Sequence, residues 1–276
     1  MQVRVASVAS LVIRCPLSRF WGPSAERLPF LQLDRHRHRH RHPPCLFPRM
    51  EFFWAGQPKD NHCLVELLRL GGIIKSQRIA EAMEKIDRKL FVPDQAYAYM
   101  DNPLPIGYNA TISAPHMHAL CLQLLENHLQ PGMHALDVGS GTGYLTACFA
   151  IMVAKEGRVV GIEHIPELVE KSIQNVMVSA AASLLESGRL SFHVGDGRLG
   201  WSDEVPYDAI HVGAAASEVP DALLQQLRPG GRMVIPVGDE FQELRVIDKQ
   251  SDGSLKEWCE TSVRYVPLTS RNEQLR

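Results

Sequence analysis

Two strings near the middle of the chain carry residue types that can do chemistry. The first is Gly107-Tyr-Asn-Ala-Thr-Ile-Ser-Ala-Pro-His-Met-His118, where the Ser113 hydroxyl stands close to Thr111, His116 and His118. The second is Leu136-Asp-Val-Gly-Ser-Gly-Thr-Gly-Tyr-Leu145, in which Asp137, Gly139, Gly141 and Gly143 form Asp-x-Gly-x-Gly-x-Gly around Ser140. An apolar run precedes the glycines and a helical pattern from Tyr144 to Ala150 follows, so they fall in a strand-to-helix turn. Such a turn brings backbone close to a ligand, because glycine carries no Cβ and accepts positive φ. Dinucleotide sites use Gly-x-Gly-x-x-Gly, and Tyr144 stands where its third glycine would fall. The tighter spacing favours a ligand without a pyrophosphate, and S-adenosyl-L-methionine is the expected cofactor.

Two further acids fit that ligand. Glu163 lies about twenty residues past Gly143, at the end of the next predicted strand, where a carboxylate can hold both ribose hydroxyls. Asp196-Gly197 closes the third strand at the same sheet edge, where a carboxylate can accept from the adenine amine. A Ser-His-Asp hydrolase built on Ser113 and His116 fails, because the Gly-x-Ser-x-Gly elbow is absent. His116 and His118 are two residues apart on a predicted helix and point in different directions, so no shared metal is expected.

These residues need elements to hold them. Leu64, Leu67 and Leu68 form one helical stripe; after the Gly71-Gly72 break, Ile79, Met83 and Ile86 form another. Residues 91–105 show neither period and read as an ordered loop. Ser113 is placed as the N-cap of a helix that carries Pro115 in its first turn. Beyond Pro131-Gly132 short apolar runs alternate with helical windows, the pattern of a parallel sheet covered by helices. Strands are predicted at Ala135–Val138, Arg158–Ile162, Leu190–Val194, Tyr207–Val212, Arg232–Val237, Glu243–Asp248 and Arg264–Pro267. Helices are predicted at Tyr144–Val153, Pro166–Ala181 and Pro220–Leu227. The last strands leave no room for helices between them and should run antiparallel.

Composition bounds the partners. Residues 1–49 hold nine arginines, no lysine and two acids, Glu26 and Asp34, a formal +7 that leaves −9 on the remainder of a −2 chain. An acidic body is a poor nucleic-acid surface, which needs clustered Lys and Arg for counterion release. The apolar stretch Val5–Ile13 ends at Arg14 and is too short to span a membrane. An Arg- and Ser-containing, acid-poor leader fits organellar transit, chloroplast or mitochondrial, and the Arg-His tract from Arg35 to His42 reads as disordered. Met50 could start a leaderless cytoplasmic form. The six cysteines show no Cys-x-x-Cys spacing, so neither a zinc site nor a disulfide framework is expected, and Cys121 and Cys148 read as small buried hydrophobes.

From about residue 60 to the end, the chain resembles the protein L-isoaspartyl (D-aspartyl) O-methyltransferases. The resemblance rests on Gly72-Ile-Ile-Lys75, Thr111-Ile-Ser-Ala-Pro-His-Met117, Leu136–Ala150, Gly195-Asp-Gly-Arg198, Ile210-His-Val-Gly-Ala-Ala-Ala216, Pro229-Gly-Gly-Arg232 and Tyr265-Val-Pro-Leu-Thr269. The composition sets off a leader over residues 1–49, which has no counterpart in that family, and the resemblance implies a catalytic domain over 50–276. The domain would be α/β, a Rossmann-like class I methyltransferase with a doubly wound, mostly parallel seven-stranded sheet and antiparallel strands at its C-terminal end. By that likeness Ala110, Thr111, Ile112, Ser113 and His118 line a cofactor and substrate crevice, with Asp137, Glu163, Asp196, Gly197, Thr269 and Gln274 around the cofactor. Many relatives have Asp where this chain has Glu163, whose longer arm can still reach a ribose.

The implied substrates are damaged proteins and peptides with isoaspartyl residues; the near-neutral pI and acidic body add the expectation of a monomer, without nucleic acid or membrane. Their free α-carboxylate is ionised at neutral pH, with an ordinary pKa near ~4, so methyl transfer needs alignment and no general base. Ser113 is the residue expected to hold that carboxylate, and Ala214–Ala216 is expected to leave room for the peptide. The methyl ester would then collapse off the enzyme to a succinimide that hydrolyses partly to aspartate. The alternatives are a cofactor-binding adaptor without activity, and a methyltransferase for small-molecule carboxylates.

Overall fold

The computed structural model describes residues 57–154 and 156–276. The leader, its Arg-His tract and the Met50 start lie outside the described residues. The first described helix, α1 (Asn61–Leu70), starts where the Asp60 side chain accepts the Cys63 N–H at 2.8 Å, and it buries Leu64, Val65 and Leu68. Its companion α2 (Gln77–Lys85) buries Ile79, Ala80, Ala82 and Met83, the stripe that the sequence predicts. Asn61 ties the two together, donating to the Met83 carbonyl at 2.8 Å.

The stretch read as a loop contains short 3-10 turns and ends in a strand. That strand, β1 (Leu104–Gly107), pairs antiparallel with β2 (Ala110–Ile112) in a two-stranded hairpin. Two such short strands, one holding Pro105, are below the length at which a period of two shows. The helix α3 (Pro115–Leu125) follows directly. Its N-cap is Ala114, with Pro115 at the first helical position, and Ser113 stands one residue outside; the expected cap role for Ser113 is not what the structure has.

Seven strands make the main sheet: β3 (His134–Val138), β4 (Arg158–Glu163), β5 (Leu190–Val194), β6 (Tyr207–Val212), β7 (Leu227–Val237), β8 (Gln242–Lys249) and β9 (Leu255–Val263). Their order is β5-β4-β3-β6-β7-β8-β9; the first five are mutually parallel, while β8 and β9 run antiparallel. The expected strand Arg264–Pro267 is replaced by β9, whose residues are all exposed or half-buried. Residues 264–267 instead meet the sheet through a single bridge, Ala215 to Pro267.

The helices α4 (Tyr144–Val153), α5 (Pro166–Met177), α6 (Ala182–Glu186), α7 (Asp221–Gln226) and the C-terminal α8 (Arg271–Gln274) complete the fold. The predicted single helix to Ala181 stops at Met177, because the Ser179 hydroxyl accepts the Ala181 N–H at 3.1 Å and turns the chain before α6. Strand residues feed two apolar clusters. Ala135, Val159, Phe192 and Val234 pack with α1 to α5, and Leu136, Val160, Ile210 and Met233 pack with Leu223 of α7 on the other face. Each fully buried side chain of this kind stabilises the fold by about 1.5–3 kcal/mol.

The sheet order fixes where a ligand can sit. Strand β3 lies between β4 and β6, so the chain leaves it in one direction and returns on the other side. A crevice opens at such a switch point, outside the carboxyl ends of the strands.

Candidate active site

The glycine string occupies that point. Gly139 and Gly143 have φ of 75° and 86°, values that favour glycine, and a Cβ on Gly143 would stand 2.9 Å from Ser172 Cβ and 3.0 Å from Phe192 Cζ. Gly143 is thus the N-cap that lets α4 start against α5 and β5. The Gly139 and Ser140 N–H groups donate to the Ile162 carbonyl at 2.8 and 3.0 Å, which pins the turn to β4.

Ala110, Thr111, Gly139, Gly141, Glu163, Gly197, Thr269 and Gln274 line one half of the crevice. Ile112, Ser113, His118, Asp137 and Ser140 line the adjoining half, which also reaches Thr111, Gly139 and Gly141. Two expected residues do not face it. Gly143 sits behind the turn, and the Asp196 carboxylate is gripped by Arg198, whose Nε and Nη2 donate at 2.9 and 2.6 Å. That hydrogen-bonded guanidinium holds the Asp196 carboxyl below the usual carboxylate range. Gly197, next to it, supplies the crevice wall.

Asp137, the acid of the glycine motif, is buried with both oxygens engaged. Thr146 Oγ1 donates to Oδ2 at 2.5 Å and His211 Nδ1 donates to Oδ1 at 2.8 Å. Burial alone would lower the His211 imidazole; the Cys121 sulfur and the Asp137 carboxylate outweigh it and raise the ring to about 10. Glu163 closes the far side. Its Oε2 accepts the Gly141 N–H at 3.2 Å and its Oε1 the Ile165 N–H at 3.1 Å, while burial pushes its carboxyl above the ordinary range.

Gln274, expected at the cofactor, works through His164, Tyr108 and Asn109, which the sequence reading passed over. The Gln274 side chain accepts from His164 Nε2 at 2.8 Å and donates to the Tyr108 carbonyl at 2.9 Å, and Asn109 Nδ2 donates to the Gln274 carbonyl at 2.7 Å. The tip of the β1–β2 hairpin is thereby fastened to α8 across the crevice. Arg88 is fully buried behind the site; its Nη2 donates to the Ser113 carbonyl at 2.9 Å and its Nη1 faces His118 Nδ1 at 3.3 Å. The sequence offered no local signal for it, because Arg88 stands in the charged stretch Asp87-Arg88-Lys89 between Ile86 and Leu90.

A separate groove of about 670 Å³ runs up to the crevice and is lined by Pro103, Met117 and residues 262–266 among others. Ser113 and Thr111 belong to both the groove and the crevice. His116 sits at the groove, its Nδ1 at 2.9 Å from Asp101 Oδ1, while His118 points to Arg88; the two imidazoles diverge as expected. Ala214–Ala216, expected to bed the peptide, are buried, and Ala215 and Ala216 are consumed in backbone pairing to Val266 and Pro236. The groove uses the extended 262–266 segment in their place. Tyr265 lines it, with its backbone held on both sides by Gln242 and its hydroxyl buried beside Cys121 and Ser113.

A mostly parallel seven-stranded sheet with this glycine turn at its switch point defines a Rossmann-like class I methyltransferase. Residues 59–273 match the family described as Protein-L-isoaspartate(D-aspartate) O-methyltransferase. The chain is 66% identical to protein-L-isoaspartate O-methyltransferase 2 of Arabidopsis thaliana over 231 residues, 83% of this chain and 75% of that one. It is 66% identical to the protein-L-isoaspartate O-methyltransferase of Triticum aestivum over 227 residues, 82% of this chain and 99% of that one. Among solved structures, a Plasmodium falciparum protein assigned as a protein-L-isoaspartate O-methyltransferase, in complex with S-adenosyl-L-homocysteine, superposes with a TM-score of 0.71 at 35% identity, covering 76% of this chain and 98% of that one. The chain belongs to the protein-L-isoaspartate(D-aspartate) O-methyltransferase family.

Proposed function

We propose that this protein moves a methyl group from S-adenosyl-L-methionine to the free α-carboxylate of L-isoaspartyl and D-aspartyl residues in damaged proteins, with Ser113 as the group that meets the acceptor. The observation that carries the assignment of Ser113 is its position: it lines both the crevice and the groove. An isoaspartyl carboxylate lying in the groove and a nucleoside-bearing cofactor lying in the crevice would meet there.

The crevice fits that cofactor by the groups it offers. Glu163 is a buried carboxylate at the strand end where ribose hydroxyls are bound in related sheets. The buried Ser140 and Thr142 hydroxyls beside the glycine turn have no partner among the described residues, which leaves them for a polar ligand. When bound, S-adenosylmethionine supplies a methyl group activated by a sulfonium.

The chain's own residues then have three tasks. Ser113 donates its hydroxyl to the acceptor carboxylate, which is already ionised, so no base is needed. His118 stays neutral, because burial and the Arg88 cation both lower its pKa, and a neutral ring adds no charge against the sulfonium. The hairpin and α8 are tied together across the crevice by Gln274, and water displaced from between them by the ligand would strengthen the electrostatic contacts inside.

The deciding experiment incubates the full chain with methyl-labelled S-adenosylmethionine and matched peptides that contain Asp or isoAsp. Base-labile label on the isoAsp peptide alone is the expected result. Label on neither peptide, with the cofactor still bound, would replace this reading with that of an adaptor. The Arg-rich first 49 residues support a cytoplasmic enzyme with an organellar form, tested by imaging tagged chains that start at Met1 or Met50. Size-exclusion chromatography with light scattering tests whether it acts as a monomer.

A further inference from the structure

Arg88 is a buried cation whose surroundings do not neutralise it. It is fully buried, and no carboxylate lies within ion-pairing distance among the described residues. Among the described residues its Nε has no partner, and its guanidinium carbon lies 5.6 Å from the centre of the Tyr144 ring. A charge taken out of water in this way is costly unless it is paired, so a purely structural residue at this position would be better served by an apolar side chain.

What Arg88 does touch is the two donors of the site. A guanidinium has no acceptor, so at the 3.3 Å contact between Arg88 Nη1 and His118 Nδ1 the imidazole nitrogen must be the acceptor. A neutral imidazole that accepts at Nδ1 carries its proton at Nε2. Nε2 has no hydrogen-bond partner among the described residues, and the ring lines the crevice beside Asp137 and Ser140. The other arm, Nη2, holds the Ser113 carbonyl at 2.9 Å, which fixes the backbone that carries the Ser113 hydroxyl. Asn61 Oδ1, accepting the Arg88 N–H at 3.4 Å, secures the arginine's own backbone.

We propose that Arg88 is a positioning residue that locks His118 as the Nε2–H tautomer and anchors Ser113 by its carbonyl, so that one buried cation sets both hydrogen-bond donors of the site. The ligand class for the His118 donor is the carboxylate at the amino-acid end of the cofactor, which rests on the function proposed above. Removing Arg88 frees the ring to place its proton on either nitrogen, and a donor aimed at the cofactor becomes, for part of the population, an acceptor that repels it.

The test begins with the unaltered full chain, labelled with nitrogen-15 in histidine. Ring spectra at neutral pH should show His118 neutral with its proton on Nε2; a proton on Nδ1 overturns the proposal whatever the variants do. Binding of S-adenosylhomocysteine to the same sample tests the cofactor site separately, so loss of that reading is distinguishable from loss of this one. Arg88→Met and His118→Ala should each weaken S-adenosylhomocysteine binding about tenfold. The double variant should be no weaker than Arg88→Met, because the arginine acts on the cofactor through the ring. Arg88→Lys, which keeps a donor and the charge, should restore the Nε2–H tautomer and most of the affinity even if Arg88→Met fails to fold. Additive losses in the double variant, or an unchanged His118 tautomer in a folded Arg88→Met, would overturn the assignment.

Discussion

His211 Nδ1 lies 2.8 Å from Asp137 Oδ1, and both side chains are buried at the base of the glycine turn. The pairing register explains it, since Asp137 of β3 and His211 of β6 are direct neighbours across two parallel strands. The most recognisable acid in the sequence is thus held by a cation and a hydroxyl before any ligand arrives. Its primary physical role is to fix the turn.

Folding raises the His211 imidazole from 6.5 to about 10. A raised histidine contributes stability that is complete below its unfolded value and lost as pH rises through its folded one. Thermal unfolding should therefore show stability falling between about pH 6.5 and 10 in the parent, and this slope should flatten in His211→Gln. His211→Ala leaves the Asp137 charge buried without its partner and should destabilise by about 3–5 kcal/mol, measured by denaturant titration at neutral pH.

Ser113→Ala should lower kcat about 10²-fold, the cost of one missing donor at a reacting oxygen. Affinity for S-adenosylhomocysteine should change less than about twofold, because the backbone grip of Arg88 on the Ser113 carbonyl survives the substitution. Steady-state kinetics with an isoAsp peptide and calorimetry with S-adenosylhomocysteine check the two halves. Turnover equal to the parent would remove Ser113 from the chemistry.

Glu163→Gln should weaken S-adenosylhomocysteine binding by about 10- to 100-fold, the range for a hydrogen bond to a charged group. Because burial holds this carboxyl above the ordinary range, the parent's affinity should begin to fall on acidification at a higher pH than an exposed carboxylate would give. Calorimetry across pH reads both effects, and the glutamine variant should lose the acid-side dependence.

Gln274→Ala cuts the two side-chain hydrogen bonds that join α8 to His164 and to the hairpin tip at Tyr108. At about 0.5–1.5 kcal/mol each, their loss should speed cofactor release about tenfold, read by stopped-flow displacement, with kcat for chemistry little changed.

Much of this arrangement was legible in the residues. The parallel strands announced themselves as apolar runs between helical windows, because a sheet covered on both faces leaves few polar positions in β3, β4 and β6. The exposed positions of β9 removed that signal, so Arg264-Tyr-Val-Pro267 reads as the last strand instead. Asp196 was placed by its strand end and by the resemblance, and neither weighed the arginine two residues on that folds back onto it. Arg88, Gln242 and His164 act through contacts more than twenty residues distant along the chain, which no local pattern encodes.

The groove that meets the crevice at Ser113 is about 670 Å³ and follows an extended stretch of chain, residues 262–266. A space of that size, comparable to a small-ligand site, admits a few residues drawn out straight and excludes the face of an intact domain. Ageing lesions on floppy tails should accordingly be mended at once, whereas a lesion locked in a helix must wait until its host loosens. The tempo of repair in any one client is then written in that client's own local stability.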